Sequence, residues 1–174
     1  TQCTVVVKES TPEENYDLFL DEYTLVGIVK KYSDYVRYPT QMYREKTRQK
    51  EKPADAGEDY TPEYETYTEL ETLNSMVPLW KRSKGEVTDE EYNQFYKDKF
   101  YDFTDPARVI VSRTEGTATY NALLFIPGRA PYDYYTRDYE KGLQLYASGV
   151  LIMEKCADLL SDHFSFVKGV VDRQ

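Results

Sequence analysis

Histidine and cysteine are scarce in this chain of 174 residues, which contains one histidine and two cysteines. Structural zinc sites need clustered cysteines and histidines, whereas Cys3 and Cys156 are far apart and belong to no Cys-x-x-Cys pair. We therefore expect no metal site and no disulfide, but two reduced cysteines as in cytosolic proteins. A nucleophile–histidine pair would have to use His163, which has no partner pattern around it, so no catalytic residue is predicted.

Long apolar runs and phosphate-binding motifs are also missing. The longest apolar runs, such as 122–126 and 150–153, are far shorter than the roughly 20 residues that span a bilayer, so we expect no membrane segment. Neither Gly-x-x-x-x-Gly-Lys-Ser/Thr nor Gly-x-Gly-x-x-Gly occurs, and we expect no cofactor in this chain. The net charge of −9 argues against a nucleic acid or an anionic membrane as the main partner.

Acidic residues and tyrosines are abundant, with 31 Asp and Glu and 18 Tyr. Paired carboxylates can hydrolyse glycosides, and tyrosine rings can stack on sugars. One alternative is therefore a stand-alone carboxylate hydrolase or a carbohydrate-binding domain that uses tyrosine stacking. The tyrosines do not form one cluster along the chain, however, and most acids in so acidic a sequence are expected on solvated faces.

The first half of the chain shows strand and helix patterns separated by a polar stretch. Three consecutive valines predict a strand at 3–8, and apolar positions at helical spacing predict a helix that Asp21 caps and Pro39 stops. Residues 40–52 resemble a charged edge strand. We interpret 53–69 as a mobile acidic loop, with a strand possible from about Glu65.

The second half alternates helix and strand patterns. Thr88 and Glu91 form a capping box that predicts the start of a helix. The helix should end before Pro106 and bury most of an aromatic stripe along one face: Tyr92, Phe95, Tyr96, Phe100 and Phe103. Hairpins are predicted at 109–113 with 117–126 and at 143–146 with 150–153, followed by short helical segments at 157–160 and 164–167. This order predicts an α/β (α+β) fold with a mixed sheet covered by helices.

Three residues are candidates for binding a partner. Trp80, the sole tryptophan, is flanked by Pro78 and by two basic residues, and it could be an exposed contact or a core anchor. Two prolines, at 127 and 131, bracket Arg129 and restrict the backbone on either side of it. Arg129 could pair with Asp133 and Tyr132 could close the core, but the exposed, rigid corner favours an interface for both.

Six segments, in one register along the chain, resemble the ninety-kilodalton heat-shock chaperone family, and especially its bacterial cytosolic members. The segments are 29–35 (VKKYSDY), 78–82 (PLWKR), 88–97 (TDEEYNQFYK), 123–133 (LLFIPGRAPYD), 142–153 with its GLQLY and VLIM pieces, and 166–172 (FVKGVVD). The resemblance implies an α/β/α sandwich. Residues 11–174 would be the first, larger subdomain of the family's middle domain, and residues 1–10 the last strand of the preceding nucleotide-binding domain or a linker.

The resemblance also implies a function. The parent would be a cytoplasmic, homodimeric chaperone that uses ATP and magnesium, whereas this segment would be a monomer that binds client proteins and the amino-terminal ATP-binding domain. In the family the catalytic arginine lies just beyond the match to Gly169–Asp172, so this chain alone is expected to hydrolyse nothing.

Site residues follow from the same resemblance. Family members use the region of Trp80 in client contacts, which favours an exposed indole and predicts that Trp80→Ala leaves folding nearly intact. The position of Tyr132 belongs to an apolar patch against which the ATP-binding domain docks. Trp80, Arg129 and Tyr132 are therefore the predicted client or interdomain contacts.

Overall fold

The computed structural model describes residues 2–50, 61–83, 85–116 and 119–173. By its internal contacts the chain divides into unit 1, residues 1–30 and 39–74, and unit 2, residues 31–38 and 75–174. The boundary near residue 10 stays a prediction; the two-stranded sheet of unit 1 pairs residues 41–49 with residues 64–72. Which parental domain each unit belongs to stays a prediction.

Unit 1 contains most of helix α1 (Glu22–Tyr32) and an antiparallel pair of strands, β1 (Gln41–Gln49) and β2 (Tyr64–Thr72). The carboxylate of Asp21 accepts a hydrogen bond from the backbone N–H of Thr24, 2.8 Å away, as expected of a helix cap. The helix and the charged strand are present, but the helix ends at Tyr32 and so does not reach Val36, and residues 51 and 52 of the predicted strand lie outside the described residues. Of the predicted loop 53–69, residues 64–69 belong to β2, and 53–60 lie outside the described residues.

The predicted strand at 3–8 is wrong. None of these residues lies in a strand, and the side chains of Val5 and Val6 are 86% and 88% exposed. β-branched residues favour a strand only where a neighbouring strand supplies hydrogen bonds and a packed face. Residues 3–8 have the local sequence pattern of a strand, but they have no neighbouring strand to pair with in the described residues.

Unit 2 contains a five-stranded sheet made of β3 (Arg108–Thr114), β4 (Tyr120–Ile126), β5 (Leu143–Ala147), β6 (Val150–Cys156) and β7 (Lys168–Arg173). The strand order is β3-β4-β7-β5-β6, and the single α-helix of the described part of 75–173 is α2 (Asp89–Phe100). Only the β5–β7 pair is parallel. The α+β prediction, both hairpins and the mixed sheet are confirmed.

The core of unit 2 lies between α2 and one face of the sheet. Leu123 and Phe125 alternate along β4 and are fully buried, and the ring of Phe125 lies 5.1 Å from that of Tyr96 on α2. Both hydrogen bonds of the predicted capping box at Thr88 and Glu91 are present. Sequence and tertiary packing therefore agree on where α2 begins.

The carboxyl end of α2 differs from the prediction. The helix ends at Phe100, and Tyr101 adopts the left-handed conformation with φ of 53°. The change of direction takes Phe103 off the buried stripe and leaves it 96% exposed. The expectation that Phe103 belongs to the core was therefore wrong, because helical spacing ceases to apply where the helix stops.

Candidate partner-binding surfaces

Trp80 lies in a short 3₁₀ turn, Leu79–Lys81, and its side chain is completely buried. Its indole N–H donates a hydrogen bond to Oδ2 of Asp172, 3.1 Å away, and its ring meets that of Tyr35 edge to face at 4.6 Å. The expectation of an exposed indole is wrong. Partner binding by Trp80 stays a prediction, and one that its buried position does not support.

The carboxylate of Asp172 is buried and contacts several groups in this region. Besides the indole, its Oδ2 pairs with Nζ of Lys81 at 2.8 Å, and its Oδ1 accepts from the backbone N–H of Gly149 at 3.4 Å. A buried carboxylate is tolerated only when it is paired and hydrogen-bonded in this way. This role was not predicted, although Asp172 interrupts an apolar strand on the same face as Val170.

Arg129 and Tyr132 lie together in the loop between β4 and β5, and both are exposed, Tyr132 completely. Within the part of the chain that the structure describes, no ion pair joins Arg129 to Asp133, and Tyr132 does not close the core. Tyr135 is also 87% exposed. We call Arg129, Tyr132 and Tyr135 the corner surface.

The corner surface is supported by tyrosines further along the same loop. The hydroxyl of Tyr139 donates to the backbone carbonyl of Ser165 at 2.7 Å, and the hydroxyl of Tyr134 lies 3.1 Å from Oγ of Ser165. The rings of Tyr134 and Tyr135 pack edge to face at 5.0 Å. These contacts hold the loop against the segment before β7, so the exposed side chains project from an ordered base.

A second exposed aromatic surface lies where the chain leaves α2. Tyr101 is 86% exposed and Phe103 is 96% exposed, and they border a groove of about 420 Å³. We call this groove the α2-exit surface; its lining residues are Gln94, Lys97, Asp98, Tyr101, Asp102 and Phe103. The α2-exit surface thus presents two nearly bare aromatic rings beside the carboxylates of Asp98 and Asp102.

The α2-exit surface has an ordered base. Burial favours a higher pKa for the Asp102 carboxyl, but hydrogen bonds from the Tyr96 hydroxyl at 2.6 Å and from Thr104 outweigh it, and the net pKa is lowered. Asp102 therefore stays ionised at neutral pH and fixes the turn that presents Phe103. The turn-forming residues from Asp102 to Pro106 were the sequence signal that could have separated Phe103 from the helix.

The remaining candidates suggest no chemistry. Within residues 2–50, 61–83, 85–116 and 119–173, no group of three or more His, Cys, Asp or Glu is placed to hold a metal ion. His163 is exposed in a short 3₁₀ turn, and both cysteines are free, Cys3 exposed and Cys156 buried. No helix in the described segments has the length and apolar character to cross a membrane.

Comparison with known proteins identifies the relatives of this chain. The family described as Hsp90 protein matches residues 58–174. The chaperone protein HtpG of Clostridium botulinum (strain Loch Maree) is 53% identical over all 174 residues, and that of Oceanobacillus iheyensis is 52% identical. The chain spans 27% of the length of each of these relatives.

A solved structure of a heat shock protein is also similar to this chain. The middle domain of a Plasmodium falciparum heat shock protein aligns with 56% of this chain and 40% of its own, at 30% identity and a TM-score of 0.51. The resemblance inferred from the six segments is confirmed.

Proposed function

Because the chain belongs to the Hsp90 protein family, we propose that it is a middle-domain segment of an ATP-dependent molecular chaperone that binds unfolded or partly folded client proteins and docks the ATP-binding domain. The observation that carries the proposal is the exposure of aromatic side chains at two ordered surfaces of a chain whose relatives are chaperones. Since the chain spans only 27% of those relatives, the cycle of the whole protein is part of the proposal.

We assign client contact to the α2-exit surface. Burying Tyr101 and Phe103 against an apolar client segment would remove two large rings from water, which is the main source of binding energy at protein interfaces. The neighbouring carboxylates of Asp98 and Asp102 would favour client segments in which a basic residue adjoins an apolar one. Unfolded chains offer many such segments, so a surface of this kind suits broad client selection.

We assign docking of the ATP-binding domain to the corner surface. Tyr132 offers a rigid aromatic ring and Arg129 a guanidinium, the residue types that most often anchor interfaces. The surrounding loop is held by Tyr134 and Tyr139, so little conformational entropy would be lost on docking.

ATP and magnesium would bind elsewhere in the parent. The lack of a glycine-rich phosphate loop in the sequence supports placing that site outside this chain. On this proposal the parent is a cytoplasmic homodimer that hydrolyses ATP, and the present chain alone is a monomer that does not.

A two-dimensional amide NMR titration tests the proposal. The labelled chain is mixed with a partly unfolded client protein, and a second sample is mixed with ATP and Mg²⁺. We expect client-induced shifts centred on Tyr101 and Phe103, weakened in Phe103→Ala and unchanged in the control Tyr43→Ala, which removes a 71% exposed ring from β1.

The outcomes separate the alternatives. The absence of client-induced shifts at Tyr101 and Phe103 would contradict the client assignment, and compact shifts with ATP would show that a nucleotide site has been overlooked. Reproducible thermal stabilisation of the chain by an oligosaccharide would instead favour the carbohydrate-binding alternative.

A further inference from the structure

Three connections of unit 2 lie at the same end of its five-stranded sheet. Arg108 pairs with Ile126, so β3 begins where β4 ends, and β7 also begins beside that end of β4. Strand β5 runs parallel to β7, and Leu143 at its start pairs with Cys156 at the end of β6. The connections at this end of the sheet are therefore 101–107, 127–142 and 157–167.

The exposed rings of the α2-exit surface and of the corner surface belong to two neighbouring connections whose backbones touch. A Cβ atom built at Gly128 would lie 2.9 Å from the carbonyl oxygen of Asp105. The backbone N–H of Ala107 donates to the carbonyl oxygen of Ile126 at 2.8 Å. These contacts hold the segment that carries Phe103 against the start of the loop that carries Tyr132.

The covalent chain limits the distance between the two surfaces. Phe103 is two residues from Asp105, and Tyr132 is four residues from Gly128. Since each residue extends the chain by at most about 3.6 Å, the Cα atoms of Phe103 and Tyr132 lie less than about 30 Å apart. An extended peptide of about nine residues covers that distance.

The exposed aromatic area of unit 2 is concentrated on these two surfaces. The four most exposed aromatic rings in the described part of this unit are those of Tyr101, Phe103, Tyr132 and Tyr135. One aromatic side chain can bury about 150–250 Å². Two rings therefore fall short of the roughly 800 Å² that one side of a stable interface buries, whereas four rings together provide about that area.

The α2-exit end of this area carries negative charge. Asp98 is exposed and accepts a hydrogen bond from the neutral side chain of Gln94 at 2.7 Å, and Lys97 pairs with Asp105 instead. Among the residues that the structure describes, no lysine or arginine nitrogen lies within 4.0 Å of the Asp98 carboxylate. A basic residue of a partner would therefore be attracted to this end. The corner loop exposes both Arg129 and Asp133, so charge selects a partner at one end only.

Resting on the proposed client function, we propose that the corner surface and the α2-exit surface form one face, which a single extended client segment of about nine or more residues occupies. The segment has apolar residues at both ends and a basic residue at the α2-exit end. Because it covers Tyr132, a bound client excludes the ATP-binding domain from the corner surface.

Binding of a designed peptide tests the proposal. A fluorescein-labelled peptide of about twelve residues carries Lys-Phe-Leu at one end, Leu-Phe at the other and polar residues between, and it is made in both orders. A half-length peptide keeps only the Lys-Phe-Leu end. We expect the long peptide to bind one to one, and Phe103→Ala and Tyr132→Ala each to raise its Kd about fivefold or more. The half-length peptide should respond to Phe103→Ala alone, and Tyr43→Ala should change neither Kd.

A second comparison tests the charge. Asp98→Asn should weaken binding of the long peptide several-fold, but it should not affect a version that has glutamine in place of lysine. Weaker binding in Phe103→Ala with none in Tyr132→Ala, or two long peptides bound per chain, would overturn the proposal while the client function stands. No binding of the long peptide, or binding that neither variant weakens, would contradict the client function as well.

Discussion

The indole N–H of Trp80 is hydrogen-bonded to the carboxylate of Asp172 at 3.1 Å, although the two residues are 92 positions apart and neither is accessible to water. The bond links the 3₁₀ turn at Leu79–Lys81 to the end of β7. Because Lys81 pairs with the same carboxylate, the turn provides both the donor and the counter-charge that allow Asp172 to be buried.

Truncation of Trp80 should destabilise the fold rather than spare it. Trp80→Ala empties the centre of the core of unit 2 and leaves Asp172 without one of its donors, so we expect a loss of about 3–5 kcal/mol in the free energy of unfolding. Urea denaturation followed by far-ultraviolet circular dichroism measures it. Tyr132→Ala, which removes a fully exposed ring, is the matched control and should change stability by less than about 0.5 kcal/mol. Equal stability of the two variants would contradict the buried position of Trp80.

Removal of the buried carboxylate of Asp172 should lower the free energy of unfolding nearly as much as truncation of Trp80 does. Asp172→Ala leaves the indole N–H unpaired and Lys81 without its partner, and we expect a loss of about 2–4 kcal/mol. Asp105→Ala breaks the solvated pair with Lys97 and should cost at most about 1 kcal/mol. Fluorescence of the single tryptophan reports the local change, because its emission depends on the charge and the hydrogen bond at the indole N–H. An unchanged spectrum and midpoint would show that the hydrogen bond does not contribute.

Gly149 should not tolerate a side chain. Its φ is +84°, and a Cβ atom built there would lie 2.1 Å from the carbonyl oxygen of Tyr35. Gly149→Ala should therefore lower stability by about 2 kcal/mol or more, from overpacking and the left-handed backbone together. Gly85→Ala, in the same unit but with open space around the new atom, is the control and should be nearly neutral. Thermal melts of both variants provide the comparison, and similar melting temperatures would refute the close approach.

The hydrogen bond from Tyr96 to Asp102 should make stability depend on pH. Because the pKa of Asp102 is lowered in the fold, this contribution is complete above the ordinary Asp value of 3.8 and is lost as the pH falls through the lower folded value. Tyr96→Phe should lose about 1.5–3 kcal/mol at pH 7, the usual strength of a hydrogen bond to a charged group. Urea titrations at several pH values should show that the difference in the free energy of unfolding between the unmodified chain and Tyr96→Phe narrows only below about pH 4. Tyr101→Phe should show no such dependence on pH. A difference that is constant with pH would mean that Asp102 is not the relevant acceptor.

Arg129 and Tyr132 of the corner surface were identified as candidates from sequence, whereas Tyr135 and the α2-exit surface were missed. Arg129 lies between two prolines, whose restrictions act on neighbouring residues, so its exposed position followed from local chemistry. Phe103 continued a helical stripe in the sequence, and only the left-handed turn at Tyr101 and the hydrogen bonds to Asp102 took it out of the core. The family itself was evident from ordered motifs without any contact being known.

The sequence by itself determined the features that depend on near neighbours: the capping box at Thr88 and Glu91, the two hairpins, and the family to which the chain belongs. Tertiary structure alone decided the burial of Trp80 and the pairing of Asp172. The physical reason is the range of the interactions. A cap or a tight turn satisfies its hydrogen bonds within a few residues, whereas the burial of a ring or a charge depends on partners that only the folded chain brings together.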